Sequence, residues 1–156
     1  EEETLRGQIG WYFSLCRQAE DSYQKLLRQC ERTDCDLDGR ERELFRDSLL
    51  LQARIQAGCY AGARLVAEGL LQAMDGNYER AFYLAGKGRK SYLAANQAMR
   101  EREHGKWHGF YENECLTDIK QTAWVLEGLS VPPSSKTGYY LMISNGLRCL
   151  PCRFYL

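Results

Sequence analysis

RERELFRDSLLLQARIQAGCYAGARLVAEGLLQAM, residues 40–74, is the stretch whose reading decides the fold. One side of it carries Phe45, Leu49, Ile55, Cys59, Val66, Leu70 and Ala73. Leu51, Ala53, Ala57, Tyr60, Ala63, Ala67 and Leu71 fill much of the rest. A surface helix shows a single apolar stripe, so coverage this broad predicts a helix contacted on more than one side. Unbroken, it would span on the order of 50 Å. Gly58, Gly62 and Gly69 interrupt it, either to let another helix approach closely or to mark a kink. A break into two helices near Gly58 is the alternative.

Toward the N-terminus, Leu5, Ile9, Tyr12, Cys16, Ala19, Tyr23, Leu26 and Cys30 alternate spacings of four and three. That is the seam of a helix packed lengthwise on a partner. The segment Arg32 to Arg40, RTDCDLDGR, reads as a loop and helix cap. Asp34, Asp36 and Asp38 alternate as in a calcium loop. No closing glutamate stands at the expected end of that motif, however. Toward the C-terminus, Asp75-Gly76-Asn77 is a turn signal. It introduces a third helix, Tyr78 to about Glu101, with Tyr78, Phe82, Ala85, Tyr92, Ala95 and Met99 on its apolar face. A short turn between long helices implies antiparallel neighbours. Leu116, Ile119, Ala123, Leu126 and Leu129 space as a fourth, amphipathic helix, which Val131-Pro132-Pro133 ends. Beyond it, Tyr139 to Ile143 has the composition of one strand, and one strand cannot form a sheet alone. The expected architecture is all-α: an antiparallel bundle of about four helices over residues 1–131, then an irregular or single-strand tail over 132–156.

Composition excludes several classes. The chain has 156 residues, 44% hydrophobic and 27% charged, enough for one domain with a real core. Its 21 basic and 21 acidic side chains cancel, which argues against nucleic-acid and membrane-surface partners. No apolar run is long enough to span a bilayer. The opening EEETLRG lacks the apolar region of a signal peptide and reads as sequence from the middle of a longer protein. Seven cysteines do not form the framework of a small secreted domain, which points to a reducing, cytoplasmic compartment.

The chemistry-bearing residues converge on His104–Asp118, HGKWHGFYENECLTD. His104 and His108 have the spacing of two zinc ligands on one helix face, but Gly105 and Gly109 argue against a helix there. Cys149 and Cys152 lack a matching second pair. No metal or cofactor is expected. There is no nucleophile elbow and no phosphate-cradling glycine loop. Glu101, Glu103, Glu112, Glu114 and Asp118 flank the stretch, and carboxylates near helix ends are ordinarily solvated or capping. What remains suits carbohydrate: Trp107, Phe110 and Tyr111 offer flat faces, while Lys106, His108, Asn113 and Asp118 offer directional hydrogen bonds or charge. The bland reading is that these rings plug one end of the bundle.

The succession ELFRDSLLLQARIQAGCYAGARLVAEGLLQA, NYERAFYLAGKGRKSYLAANQAM and HGKWHGFYENE resembles the helical region of glycoside hydrolase family 115, the xylan α-1,2-glucuronidases. The resemblance covers roughly Tyr23 to Leu129 and centres on Gly105-Lys106-Trp107. After the tryptophan, HGFYENECLTDIKQT stands where the family carries a different histidine-containing stretch. The resemblance implies an accessory domain with no catalytic residues of its own. It would pack against adjacent domains of the parent chain, a barrel before and a β-rich domain after. A loop with Lys106, Trp107, His108, Tyr111 and Asn113 would then lie near a uronate-bearing sugar or an interface with a second copy. The competing reading is a non-enzymatic helical interaction module. Gly76–Phe82, GNYERAF, resembles half of a tetratricopeptide-type hairpin, but the sequence shows no repeat at the required 34-residue period.

Overall fold

The computed structural model describes residues 2–111, and they are helical almost throughout, with no strand among them. Helix α1 runs Glu2–Asp36, α2 runs Gly39–Phe45, a π-helical turn covers Arg46–Leu50, α3 runs Leu51–Met74 and α4 runs Tyr78–Arg102. The segment from α2 to α3 is one continuous rod. Its irregularity falls at Arg46–Leu50, and Gly58 lies inside regular helix. No described helix is long and apolar enough to cross a membrane.

Helix α3 is contacted on both sides, as its apolar coverage predicts. Against α1, Arg6 pairs with Asp75 at 2.7 Å, Tyr23 stacks on Tyr60 with centroids 5.4 Å apart, and Arg64 pairs with Glu20. Rising numbers on α1 meet falling numbers on α3, so the two run antiparallel. On the other side the chain reverses at Asp75-Gly76-Asn77. Gly76 takes φ +80°, and the Asn77 N–H donates to the Gln72 carbonyl at 2.9 Å, which closes the helix end. Helix α4 then returns antiparallel along α3.

Small residues govern that second contact. A Cβ on Gly62 would sit 2.6 Å from the Tyr92 ring, and one on Gly58 would sit 2.9 Å from the Ser91 carbonyl oxygen. These glycines permit close helix approach and do not kink the rod. The main core joins Ile9, Tyr12 and Cys16 of α1 to Ile55, Val66 and Leu70 of α3 and to Tyr92, Ala95 and Met99 of α4. A second cluster, Cys30, Leu50 and Ala53, closes the far end of α1.

Two expectations need correction. The predicted loop at Arg32–Arg40 shrinks to Leu37 and Asp38, because α1 continues through Asp36. Asp34 explains why: its side chain is buried and bridges to Arg46 at 2.6 Å and Arg42 at 3.3 Å, tying the last turn of α1 to α2 and the π-helical turn. Tyr78 is exposed beside the turn, and Ala81, Leu84 and Ala98 take places on the buried face of α4. Asn113, Asp118, the segment Leu116–Leu129, the boundary at 131, Tyr139–Ile143 and Cys149/Cys152 lie outside the described residues.

Candidate functional site

The π-turn sets one end of the molecule apart. An extra residue per turn rotates the segment before it by up to about 100° relative to α3. Asp47 lies in that turn and meets the end of α4. The Arg102 Nε donates to the Asp47 carbonyl at 3.3 Å, and the Arg102 guanidinium forms an ion pair with the Asp47 carboxylate at 3.2 Å. His104 Nε2 lies 3.2 Å from the other carboxylate oxygen. These contacts join residues more than fifty positions apart in sequence.

Above them opens a cleft of about 680 Å³ lined by Arg42, Glu43, Arg46, Asp47, Arg54, Glu101, Arg102 and His104, among others. Its arginines all meet carboxylates: Arg42 and Arg46 share Asp34, Arg54 faces Glu101 at 3.8 Å, and Arg102 pairs with Asp47. The Arg46 hydrogen bond, with Arg42 adding to it, holds the Asp34 carboxyl well below the usual carboxylate range despite the opposing effect of burial. Glu43, Asp47 and His104 each bring one donor atom within 4.8 Å of the others. Asp47 is already committed to Arg102 and His104, and the cleft's four arginines outnumber its three carboxylates. The trio therefore reads as an ion-pair node and not as a metal centre.

The predicted loop residues adjoin this cleft. His104 is extended, and Gly105 and Gly109 take φ +54° and +70°, values that favour glycine. They bracket a single 3₁₀ turn, Gly105–Trp107, so His104 and His108 do not share a helix face. The half-buried Trp107 ring has the Arg102 guanidinium 4.7 Å and the Lys106 ammonium 5.3 Å from its centroid. The Phe110 ring meets it edge-on at 5.1 Å. The Tyr111 N–H donates to Glu103 Oε1 at 2.7 Å, and its ring packs against the main core. Lys106 and His108 are exposed.

The structure thus gathers Lys106, Trp107, His108 and Tyr111 on one short turn but gives them different work. Tyr111 is an anchor. Trp107 is partly covered by cations, and Phe110, 59% exposed, is the more open ring. Sequence reasoning missed Asp47, Arg46 and Arg54. Glu43 and Asp47 are four apart on a polar face, an ordinary pattern, and nothing local to them points at residue 102 or 104.

The described residues offer little for covalent catalysis. Burial pushes the Cys59 thiol up to about 12, far from thiolate at neutral pH. Glu101 accepts from Gln97 and pairs with Arg54, while Glu103 holds Arg100 and the Tyr111 amide. Comparison with known proteins finds no match: no family model, no curated protein and no solved structure aligns with the chain.

Proposed function

We propose that the chain is an accessory helical domain of a carbohydrate-active glycoside hydrolase, not catalytic alone, which presents the 104–111 turn and its cleft to a neighbouring domain or to an acidic sugar. One observation carries the reading: long antiparallel helices end in an aromatic turn fused to an arginine-lined cleft. Arg46 and Arg54, both about half exposed, keep N–H donors beyond their ion pairs, and a uronate carboxylate suits that fork. The resemblance of HGKWHGFYENE to the α-glucuronidase element supplies the parent's class. On this reading Leu116–Leu129 adds a fourth antiparallel helix, residues 132–156 lead into a β-rich domain, and the partners are those domains or a second copy. The protein works in a reducing compartment without metal or cofactor.

The test titrates the chain with a glucuronic-acid-bearing xylo-oligosaccharide and with its neutral counterpart. Preference for the acidic sugar, lost in Arg54→Ala and Trp107→Ala, is the expected result. Binding of neither sugar removes the sugar role, and equal binding of both removes recognition of the uronate. In the full-length parent, Trp107→Ala that folds normally and hydrolyses glucuronoxylan fragments at the parental rate removes any site role for the turn.

A helical interaction module is the second reading. The exposed Trp11 and Leu15 on α1 and Tyr83 and Leu93 on α4 favour it. Helices of 35, 24 and 25 residues do not favour its repeat form, which stacks pairs of shorter helices.

A further inference from the structure

We infer that Asp47, in the π-turn, is a positioning residue that holds the α4 end of the 104–111 turn in its presented shape. This rests on the reading that the turn is the working surface, and it names what sets that surface's geometry. Asp47 engages the junction of α4 and the turn through three separate atoms. Its carbonyl accepts from Arg102 Nε, one carboxylate oxygen pairs with the same guanidinium, and the other faces His104 Nε2. Both partners stand where α4 gives way to the turn. The Arg102 side chain is only 12% exposed, so its charge requires a local counter-ion. That guanidinium also lies 4.7 Å from the Trp107 ring centroid, and Trp107 in turn holds Phe110. Asp47 therefore fixes the guanidinium plane, the guanidinium seats the indole, and the indole sets the exposed Phe110. Glu101 lines the same cleft but engages Gln97 and Arg54, not the turn.

Hydrogen exchange of the Trp107 and Phe110 amides tests this directly, since both donate within the turn at 3.0 Å. Losing the charged partner of Arg102, while its hydrogen bond to the Asp47 carbonyl remains, is worth about a tenfold change in a local opening equilibrium. In Asp47→Asn, protection of these two amides is expected to fall about tenfold, while core amides of α3 such as Ala67 and Leu70 keep theirs. Asp47→Glu, which restores the charge, should recover part of the loss. Glu43→Gln should leave protection unchanged. Unchanged protection in Asp47→Asn, or an equal loss in Glu43→Gln, overturns the inference. So does a parallel loss at Ala67 and Leu70, because that would be global unfolding. No sugar enters the measurement. A loosened turn with unaltered sugar binding therefore leaves Asp47 in its role and removes the sugar function instead.

Discussion

The α3–α4 hairpin and the cleft end are held by opposite means. Along the hairpin, small residues let two backbones close on each other, and the contact is dry: Ala67 is wholly buried, with Ala95 and Leu84 nearly so. At the cleft end, Asp34 of α1 takes Arg42 of α2 and Arg46 of the π-turn, and Asp47 of the π-turn takes Arg102 of α4. Dispersion and burial act between whatever surfaces fit, so the hairpin is set by the shape of each position. Ion pairs act between particular atoms, so the cleft end is set by which residue finds which partner. The first arrangement stabilises; the second, partly solvated, adds less stability and more definition.

The largest effect should come from the hairpin. Leu84→Ala empties one of the largest fully buried positions, 2% exposed, and should cost about 2–5 kcal/mol, read as a lowered midpoint in urea. Gly62→Ala comes next. Its new methyl would sit 2.6 Å from the Tyr92 ring, which is itself buried and cannot swing out freely. The expected loss is about 1–3 kcal/mol by the same measurement. Gly62→Ala in the background of Tyr92→Ala should cost less than in the parent. Equal costs in both backgrounds would mean that close approach to Tyr92 is not what Gly62 provides.

Asp34→Asn moves the comparison to the polar end. The folded carboxyl is held below its ordinary value by Arg46 and Arg42, so its contribution is present in full above the unfolded carboxylate range. It is lost as pH falls below about 4. The variant should be less stable than the parent at pH 7 and flatter between pH 4 and pH 2. A parent whose thermal midpoint falls no faster than the variant's over that acid range would show that the bridge adds nothing.

The same contrast explains what was legible in the sequence. The seam from Leu5 to Cys30 and the two-sided coverage of residues 40–74 are periodic, and periodicity records burial directly. The turn at Asp75-Gly76-Asn77 is local chemistry and falls where it was expected. The aspartates and glycine of Arg32–Arg40 read as polar turn, so the sequence places a loop where α1 continues. Nothing nearby in sequence says that Asp34 is captured by arginines eight and twelve residues on. The π-turn and the Asp47–Arg102 contact are less legible still. Each is fixed by partners that become neighbours only after the helices pack. Of the candidate site, the turn and its rings are legible in the sequence, whereas the contacts of Trp107 with Arg102 and of Tyr111 with the core are not.

Arg6→Gln should have the smallest effect, and it tests the contrast from the other side. Arg6 and Asp75 pair at 2.7 Å, the shape of a strong ion pair. Both side chains are more than two-fifths exposed, at 42% and 44%, so water and salt screen them and ordering them costs entropy. The expected change is below about 1 kcal/mol, shrinking further as salt is raised. The seating of α1 on α3 at this end then rests on Ile9, Tyr12 and Cys16, which are buried whether or not Arg6 is charged. A loss comparable to that of Gly62→Ala, undiminished by salt, would mean that the first turns of α1 depend on the pair and not on the apolar seam. The separation between a shape-held hairpin and a charge-held end would then fail where α1 meets the Asp75 turn.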